Sequence, residues 1–193
     1  MRATIRNSWA ASLLLGAVMA GLLVTPALAG ARYQPDGLIR VATQGAPAVP
    51  LYTYHGPWLG NNIYNATGAH QTAVEACVCS TFAFGWFFTF DISIQNDGSA
   101  VDRYMVKATG AATSAWTVTY SRGSTNITSA VVAGTYRTSL LAPGATYLIH
   151  AKIVITGYGS VTRLVTIRSV ANSTKLDAVK FGFRWNPAPP MGG

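Results

Sequence analysis

Alternation of apolar and polar residues over residues 82–95 constrains the fold more than any other feature of this sequence. Most odd positions are small or polar, and the even positions are all apolar: Phe82, Phe84, Trp86, Phe88, Phe90, Ile92 and Ile94. Successive side chains of a strand point to opposite faces of a sheet, so a period of two predicts β-strand. The run is longer than the usual strand of about five or six residues, so we expect Gly85 to mark a bend between two strands.

Further strand candidates follow at regular spacing, each closed by small or turn-forming residues. They are residues 103–108, 116–121, 131–136, 147–156, 161–170 and 178–185. No segment has a helical period, and charged residues make up only 10% of the chain, with Glu75 as the single glutamate. Seven or eight short strands predict an all-β fold, an Ig-like antiparallel β-sandwich, with a closed barrel as the alternative.

The same alternation predicts which side chains lie between the two sheets. They are Phe88, Phe90, Ile92, Ile94, Tyr104, Val106, Val118, Tyr120, Ile153, Ile155, Val165 and Ile167. Full burial of one such side chain contributes roughly 1.5–3 kcal/mol. A core of this composition needs neither disulfides nor a metal ion to hold a domain of this size together.

Residues 1–29 are organised as a secretory signal peptide. Arg2 and Arg6 precede an apolar stretch over residues 9–24, and Ala27-Leu28-Ala29 suits signal peptidase. Sixteen residues at about 1.5 Å each fall short of a roughly 30 Å hydrocarbon core, which favours cleavage over an uncleaved anchor. We therefore expect a secreted, extracellular protein with no stable membrane anchor after cleavage.

Composition shifts divide the rest of the chain into three parts. Residues 30–72 are rich in Pro, Gly, Asn and Tyr, which predicts an irregular, aromatic-rich arm with one short strand at residues 38–42. Residues 73–186 carry the alternating pattern of the Ig-like β-sandwich. Residues 187–193, with three prolines and two glycines, are predicted to be a flexible tail.

The chain is basic, with 14 Lys and Arg against 6 Asp and Glu and a formal net charge of +8. Removal of Arg2 and Arg6 leaves 12 basic residues and a net charge of +6. These residues are scattered, whereas nucleic-acid binding usually needs them concentrated in one stripe. We expect no nucleic-acid partner, and an extracellular protein or an anionic cell-wall polysaccharide instead.

Six segments look familiar when they are read together: residues 33–40, 60–68, 90–98, 131–136, 141–145 and 169–174. They resemble uncharacterised secreted domains of actinobacteria and Chloroflexota-type bacteria, which are themselves similar to CARDB-type and other Ig-like modules of bacterial extracellular proteins. The resemblance spans nearly all of the chain after residue 29. It implies an Ig-like fold and brings no catalytic residues with it. Cys77, Cys79 and the aromatic residues around Trp86 depart from such modules.

Cys77 and Cys79 are the only cysteines and lie two apart on a predicted strand. In an extended strand their Cα atoms are nearly 7 Å apart, at or beyond the limit for a disulfide. Free thiols are the favoured interpretation, and a strained or intermolecular disulfide is the first alternative. Cys77 and Cys79 are therefore candidate redox residues. A metal site would need three or four ligands, and no histidine has the matching spacing. We expect no metal and no cofactor.

Residues of catalytic type are present without a catalytic motif. No Gly-x-Ser-x-Gly elbow and no phosphate-binding loop occurs, and the histidines are isolated. His150 alternates with apolar residues and is predicted to face solvent. Asp97 and Asp102 flank a turn, where aspartates normally bind backbone N–H groups, although calcium binding is an alternative. We therefore expect a protein that is not an enzyme, with a loop-based hydrolase site as the remaining alternative.

The aromatic arm is the best binding candidate in the sequence. Tyr52, Tyr54, Trp58 and Tyr64 cluster among Pro, Gly and Asn, a composition that can present flat rings to a sugar. The alternative, which we favour, is that these residues fold back and close an open sheet edge. The predicted function is a non-catalytic secreted Ig-like domain with a structural or interaction role, and a carbohydrate-binding module is the second hypothesis.

Three segments fit the N-glycosylation pattern: Asn65-Ala66-Thr67, Asn126-Ile127-Thr128 and Asn172-Ser173-Thr174. In a bacterial protein we interpret them as turns, because Asn and Thr side chains readily bond to nearby backbone groups.

Overall fold

The computed structural model describes residues 30–45, 52–53, 55–78, 85–110 and 113–186. The predicted signal peptide at residues 1–29 and the predicted tail at residues 187–193 lie outside these ranges. Tyr54, Cys79 and the first part of the alternating run, residues 82–84, lie outside them as well.

Two sheets account for almost all of the regular structure. In the six-stranded sheet the spatial order is β2-β1-β4-β9-β6-β7, and in the five-stranded sheet it is β3-β11-β10-β5-β8. The first sheet contains β1 Pro35–Gly45, β2 Tyr52–Thr53, β4 Phe87–Asn96, β6 Trp116–Arg122, β7 Thr125–Asn126 and β9 Thr146–Ile155. The second contains β3 Thr72–Val78, β5 Tyr104–Ala108, β8 Tyr136–Arg137, β10 Val161–Ser169 and β11 Leu176–Asn186.

The strand order is that of an Ig-like β-sandwich. β1, β4, β9 and β6 follow one another as the A, B, E and D strands of such a sandwich do, and β11, β10 and β5 follow one another as G, F and C. β3 adds to this second sheet by pairing in parallel with β11, and the other pairings are antiparallel. Eight described strands have five residues or more. The predicted fold class is therefore confirmed.

The core lies between the two sheets and is rich in aromatic rings. All twelve side chains predicted to face inward are at most 3% exposed. Phe90 of one sheet lies 5.1 Å from Phe181 of the other, and Tyr120 approaches Phe181 edge-on at 6.0 Å, measured between ring centroids. Phe88 stacks on Phe183 at 5.0 Å. These contacts join the sheets because the alternating apolar positions of both sheets point into the same interior.

The short strand predicted at residues 38–42 is longer than expected and belongs to a sheet. β1 runs from Pro35 to Gly45 and pairs with β4 along its whole length, with a bulge between Val41 and Thr43. Gly37 interrupts the alternation at a position where a side chain would crowd the core. A Cβ atom there would lie 2.7 Å from Ile167 Cδ1 and 3.0 Å from Val179 Cγ1.

The strand predicted at residues 131–136 is wrong, because a short helix takes its place. α1 spans Thr128–Ala133 and buries Val131, and only Tyr136 and Arg137 form the edge strand β8. Asn126 Oδ1 accepts the N–H of Thr128 at the helix start, and Gly134 ends the helix with φ 72°. Six residues show too little of a helical period to reveal the helix in the sequence. No helix among the described residues is long and apolar enough to span a bilayer.

The Asn-x-Thr segments that begin at Asn65 and Asn172 form turns, as predicted, whereas the third, Asn126-Ile127-Thr128, joins β7 to α1. Asn65 Oδ1 accepts hydrogen bonds from the N–H groups of Thr67 and Ala69, and Asn172 Oδ1 accepts the N–H and the hydroxyl of Thr174. These are the local side-chain bonds that compete with regular structure and fix loops.

Candidate functional site

The part of the aromatic arm that follows β1 lies along the free edge of that strand. Gly56 donates its N–H to the carbonyl oxygen of Val41 at 3.0 Å. Ile39 and Leu59 exchange two backbone hydrogen bonds of 2.9 and 2.8 Å. Tyr52 pairs with Gln44 through the backbone of β2. These backbone bonds cover part of the sheet edge, which would otherwise expose unpaired N–H and C=O groups.

Trp58 and Tyr64 do not share one binding platform. The ring of Trp58 lies over the Arg40 guanidinium, 4.4 Å from its centroid, and the residue is 38% exposed. The Tyr64 hydroxyl instead donates to Asp97 Oδ2 at 2.7 Å. Trp58 is anchored through Arg40 beside Asp91, and Tyr64 is anchored at Asp97. Asp91 and Asp97 are six residues apart, which corresponds to roughly 20 Å of extended chain. Tyr52 is placed by its backbone alone and Tyr54 lies outside the described residues.

The outer face of the six-stranded sheet carries a row of polar residues that the sequence does not reveal. The strand register sets Arg40 opposite Asp91, Asp91 opposite His150, and His150 opposite Ser121. Arg40 donates to Asp91 Oδ2 from Nε at 3.0 Å and from Nη2 at 2.8 Å, and His150 Nδ1 lies 2.7 Å from Asp91 Oδ1. The Asp91 side chain is 5% exposed and the His150 side chain 35%.

This row places Ser, His and Asp side by side, but its surroundings are those of a sheet surface. His150 faces solvent as predicted, and its neighbours Ile149 and Ala151 are buried. Acyl transfer also needs N–H donors aimed at the developing oxyanion. Ser121 lies between β9 and β7 in the sheet ladder, where neighbouring N–H groups already bond to the adjacent strands. Asp91 therefore serves to join three strands through Arg40 and His150.

A second polar cluster fastens the loop of residues 60–71 to the sandwich. Asp177 Oδ2 accepts the N–H of Gly37 at 2.6 Å and Nε2 of Gln71 at 2.8 Å, while its Oδ1 accepts the N–H of Asn65 at 2.9 Å. Both Asp177 and Gln71 are fully buried. Burial raises the pKa of Asp177 above its usual value. The cluster joins three segments that are far apart in the sequence.

Asp36 belongs to the same region and also has a raised pKa. Its Oδ2 accepts the N–H of Asn62 at 3.0 Å, and its Oδ1 has no hydrogen-bond partner among the described residues. Burial raises the pKa of Asp36 from 3.8 to about 6; the Asn62 bond opposes this rise, and the nearby Asp97 and Asp177 carboxylates add to it. Asp36 therefore affects the stability of the fold, because ionisation of its buried carboxyl group in the folded protein costs free energy.

The predicted pair Asp97 and Asp102 is divided between two clusters. Asp102 is buried and accepts the N–H groups of Arg103 and Ala171 and the hydroxyl of Ser169. Asp97 accepts from Tyr64, on another loop. The N–H bonds to Asp102 fit the predicted turn role. Within the described ranges, no three His, Cys, Asp or Glu side chains come together as a metal site would require.

Of the two cysteines, Cys77 alone lies among the described residues. Cys77 lies in β3, where its backbone is opposite Trp185, and Cys79 lies outside the described residues. The possible redox role of this pair stays a prediction.

Comparison with known proteins assigns the chain to no family. No protein-family model matches the chain, and no curated protein matches its sequence. Among solved structures, the N-terminal domain of PorA aligns with 79% of this chain and 99% of that one, at 12% identity and a TM-score of 0.39. PapD-like domain 7 of human CEP192 aligns with 62% and 83%, at 7% identity and a TM-score of 0.37.

A secreted serine protease of Vibrio cholerae, VesC, aligns with 62% of this chain, at 16% identity and a TM-score of 0.38. The alignment covers only 22% of the protease chain. At these TM-scores, none of the three similarities bears on function.

Proposed function

We propose that this protein is a secreted, non-catalytic Ig-like domain with a structural or interaction role outside the cell. The observation that supports this role is how its buried carboxylates are used. Asp177 and Asp102 accept backbone N–H groups from loops, Asp36 accepts one as well, and Asp91 joins neighbouring strands. Groups that an enzyme would aim at a substrate hold the loops and strands together instead.

Export is part of the proposal and follows from the sequence. Arg2 and Arg6, the apolar stretch and Ala27-Leu28-Ala29 have the form of a cleavable signal. The similarity to secreted bacterial Ig-like modules agrees with that destination. To test it, the full chain is produced in a bacterium and each cell fraction is analysed by N-terminal sequencing. We expect Gly30 as the first residue of an exported product; an intact cytoplasmic chain beginning at Met1 would contradict export.

The non-catalytic part is tested at the Ser121, His150 and Asp91 row. A fluorophosphonate probe labels serines that an adjacent base activates. We expect no labelling of the purified protein, because the row is built into a sheet ladder. Labelling that disappears in Ser121→Ala and in His150→Ala, while both variants remain folded, would contradict the proposal and assign a hydrolase.

A carbohydrate-binding module is the second candidate, and Trp58 is the observation that favours it. One face of its ring lies on Arg40, which fixes the ring on the sheet surface while the residue stays 38% exposed. Arg40 and His150 stand in the same row as hydrogen-bonding groups of the kind that sugar hydroxyls need. A flat ring beside such groups suits a sugar ring.

The carbohydrate hypothesis is tested by retention on insoluble cell-wall polysaccharide. Trp58→Ala should release the protein, whereas Tyr158→Ala should not, since Tyr158 is an exposed aromatic residue at another site, packed against Trp185 in a tilted arrangement. If Trp58→Ala lowers stability and leaves retention unchanged, Trp58 only packs on Arg40 and the carbohydrate hypothesis fails.

A further inference from the structure

Three of the exposed apolar side chains meet at one end of the sandwich. Val101, Leu140 and Val170 are 54%, 62% and 43% exposed. They line a depression of about 370 Å³ together with Asp102, Arg103 and Ala171. Single exposed apolar side chains are normal on protein surfaces, whereas a cluster of them around a depression marks a contact site.

Loops from three parts of the chain form this depression and are held firmly together. Asp102 and Leu141 exchange two backbone hydrogen bonds of 3.1 and 2.7 Å. The N–H of Val170 bonds to the carbonyl oxygen of Arg103 at 2.9 Å, and the N–H of Ala171 bonds to Asp102 Oδ1. A surface fixed in this way loses little conformational entropy when a partner binds.

The charge around the depression is positive. Arg103 lines it and forms no ion pair with any described residue, and its Nε is buried without a hydrogen-bond partner in the described part of the chain. Arg32 and Arg168 bond to the adjoining loops through the carbonyl oxygens of Asp97 and Ser173. Asp102, the carboxylate that lines the depression, is only 3% exposed. The charged groups within reach of a partner there are therefore the arginines.

We propose that this loop end binds an acidic peptide segment of an extracellular protein, with one apolar side chain of the segment in the depression and a carboxylate beside Arg103. This inference rests on the proposed interaction role and names its surface and its partner chemistry. Val101, Leu140 and Val170 supply the apolar contact, while Arg103 selects for negative charge.

The test is selection of a random dodecapeptide library displayed on phage against the purified full chain. We expect enriched peptides to contain an Asp or Glu next to Leu, Ile, Val, Phe or Met. The affinity of a synthetic enriched peptide, measured by fluorescence anisotropy, should fall about tenfold or more in Leu140→Ser and in Arg103→Gln, the size of effect expected at a contact centre.

Val74→Ser is the matched control, since Val74 is also exposed, at 39%, but lies in β3. It should leave the affinity within about twofold. Arg103→Lys should restore binding in part, and wild-type affinity should fall as salt rises. Circular dichroism checks that each variant is folded.

Two results would overturn this inference. Absence of enrichment, or enrichment of peptides without acidic residues, would end the assignment of partner chemistry. Equal loss of affinity in Val74→Ser and Leu140→Ser would move binding to another surface and leave the interaction role standing. A chain that is not exported, or a chain that the fluorophosphonate probe labels, would instead contradict the proposed function itself. The failure of this inference and the failure of the proposed function are therefore distinguishable.

Discussion

Asp36→Asn is expected to stabilise the protein at neutral pH and not under acidic conditions. Asp36 is fully buried beside two other carboxyl groups, and its pKa rises from 3.8 to about 6 in the folded state. Asparagine keeps an acceptor for the N–H of Asn62, the bond that Asp36 makes at 3.0 Å. It removes the negative charge that the buried site disfavours.

The size of the effect follows from the difference between the two pKa values. Because the folded-state pKa is the higher one, the unfolded chain loses its proton first as pH rises, and stability falls between about pH 4 and pH 6. Below about pH 4 the Asp36 carboxyl group is protonated in both the folded and the unfolded protein, and its contribution to stability is fully present. The difference between a pKa of 3.8 and one of about 6 corresponds to a loss of up to about 3 kcal/mol above pH 6.

The assay is urea unfolding of the wild type and Asp36→Asn at about pH 4 and about pH 7.5. The free energies of unfolding should be similar at the lower pH, and the variant should gain up to about 3 kcal/mol at the higher pH. A difference between the two proteins that does not change with pH would refute the reasoning, as would a less stable variant at pH 7.5. Either result would mean that Asp36 is ionised in the folded protein at little cost.

Three further substitutions are expected to lower the free energy of urea unfolding. Phe181→Ala removes a fully buried ring that contacts both Phe90 and Tyr120, and should cost about 3–5 kcal/mol. Asn96→Ala removes a buried amide that bonds three loop backbone groups and should cost about 1–3 kcal/mol. Gly37→Ala forces a Cβ into the core and should cost about 1–3 kcal/mol. A change within about 0.5 kcal/mol would contradict the packing or bonding described at that site.

The sandwich was largely predictable because its strands bury one face each. Every second residue is apolar over residues 88–94 in β4 and over residues 149–155 in β9, so these positions could be assigned to the interior from the sequence alone. The same reasoning failed where local chemistry replaces alternation. Gly37 and a bulge interrupt the pattern of β1, and α1 is too short to display a helical period.

The polar clusters were not predictable for a different reason. Asp177 bonds to Gly37 across 140 positions, and Asp91 bonds to His150 across 59. Only strand register brings these residues together, and residue types alone do not specify register. Local spacing favoured Asp97 with Asp102 instead, a pair that the fold divides between two loops. The apolar depression likewise depends on three loops that meet only in the folded chain.

The central claim is that this domain works outside the cell by contact with a partner. Photo-crosslinking in cells tests this claim most directly. Benzoylphenylalanine is placed at Leu140 in one chain and at Val74 in another, and both are irradiated in cells that naturally produce the protein. The account predicts a discrete adduct from the Leu140 chain in the extracellular fraction and none from the Val74 chain. No adduct at Leu140, the same adducts from both positions, or a chain that remains in the cytoplasm would contradict it.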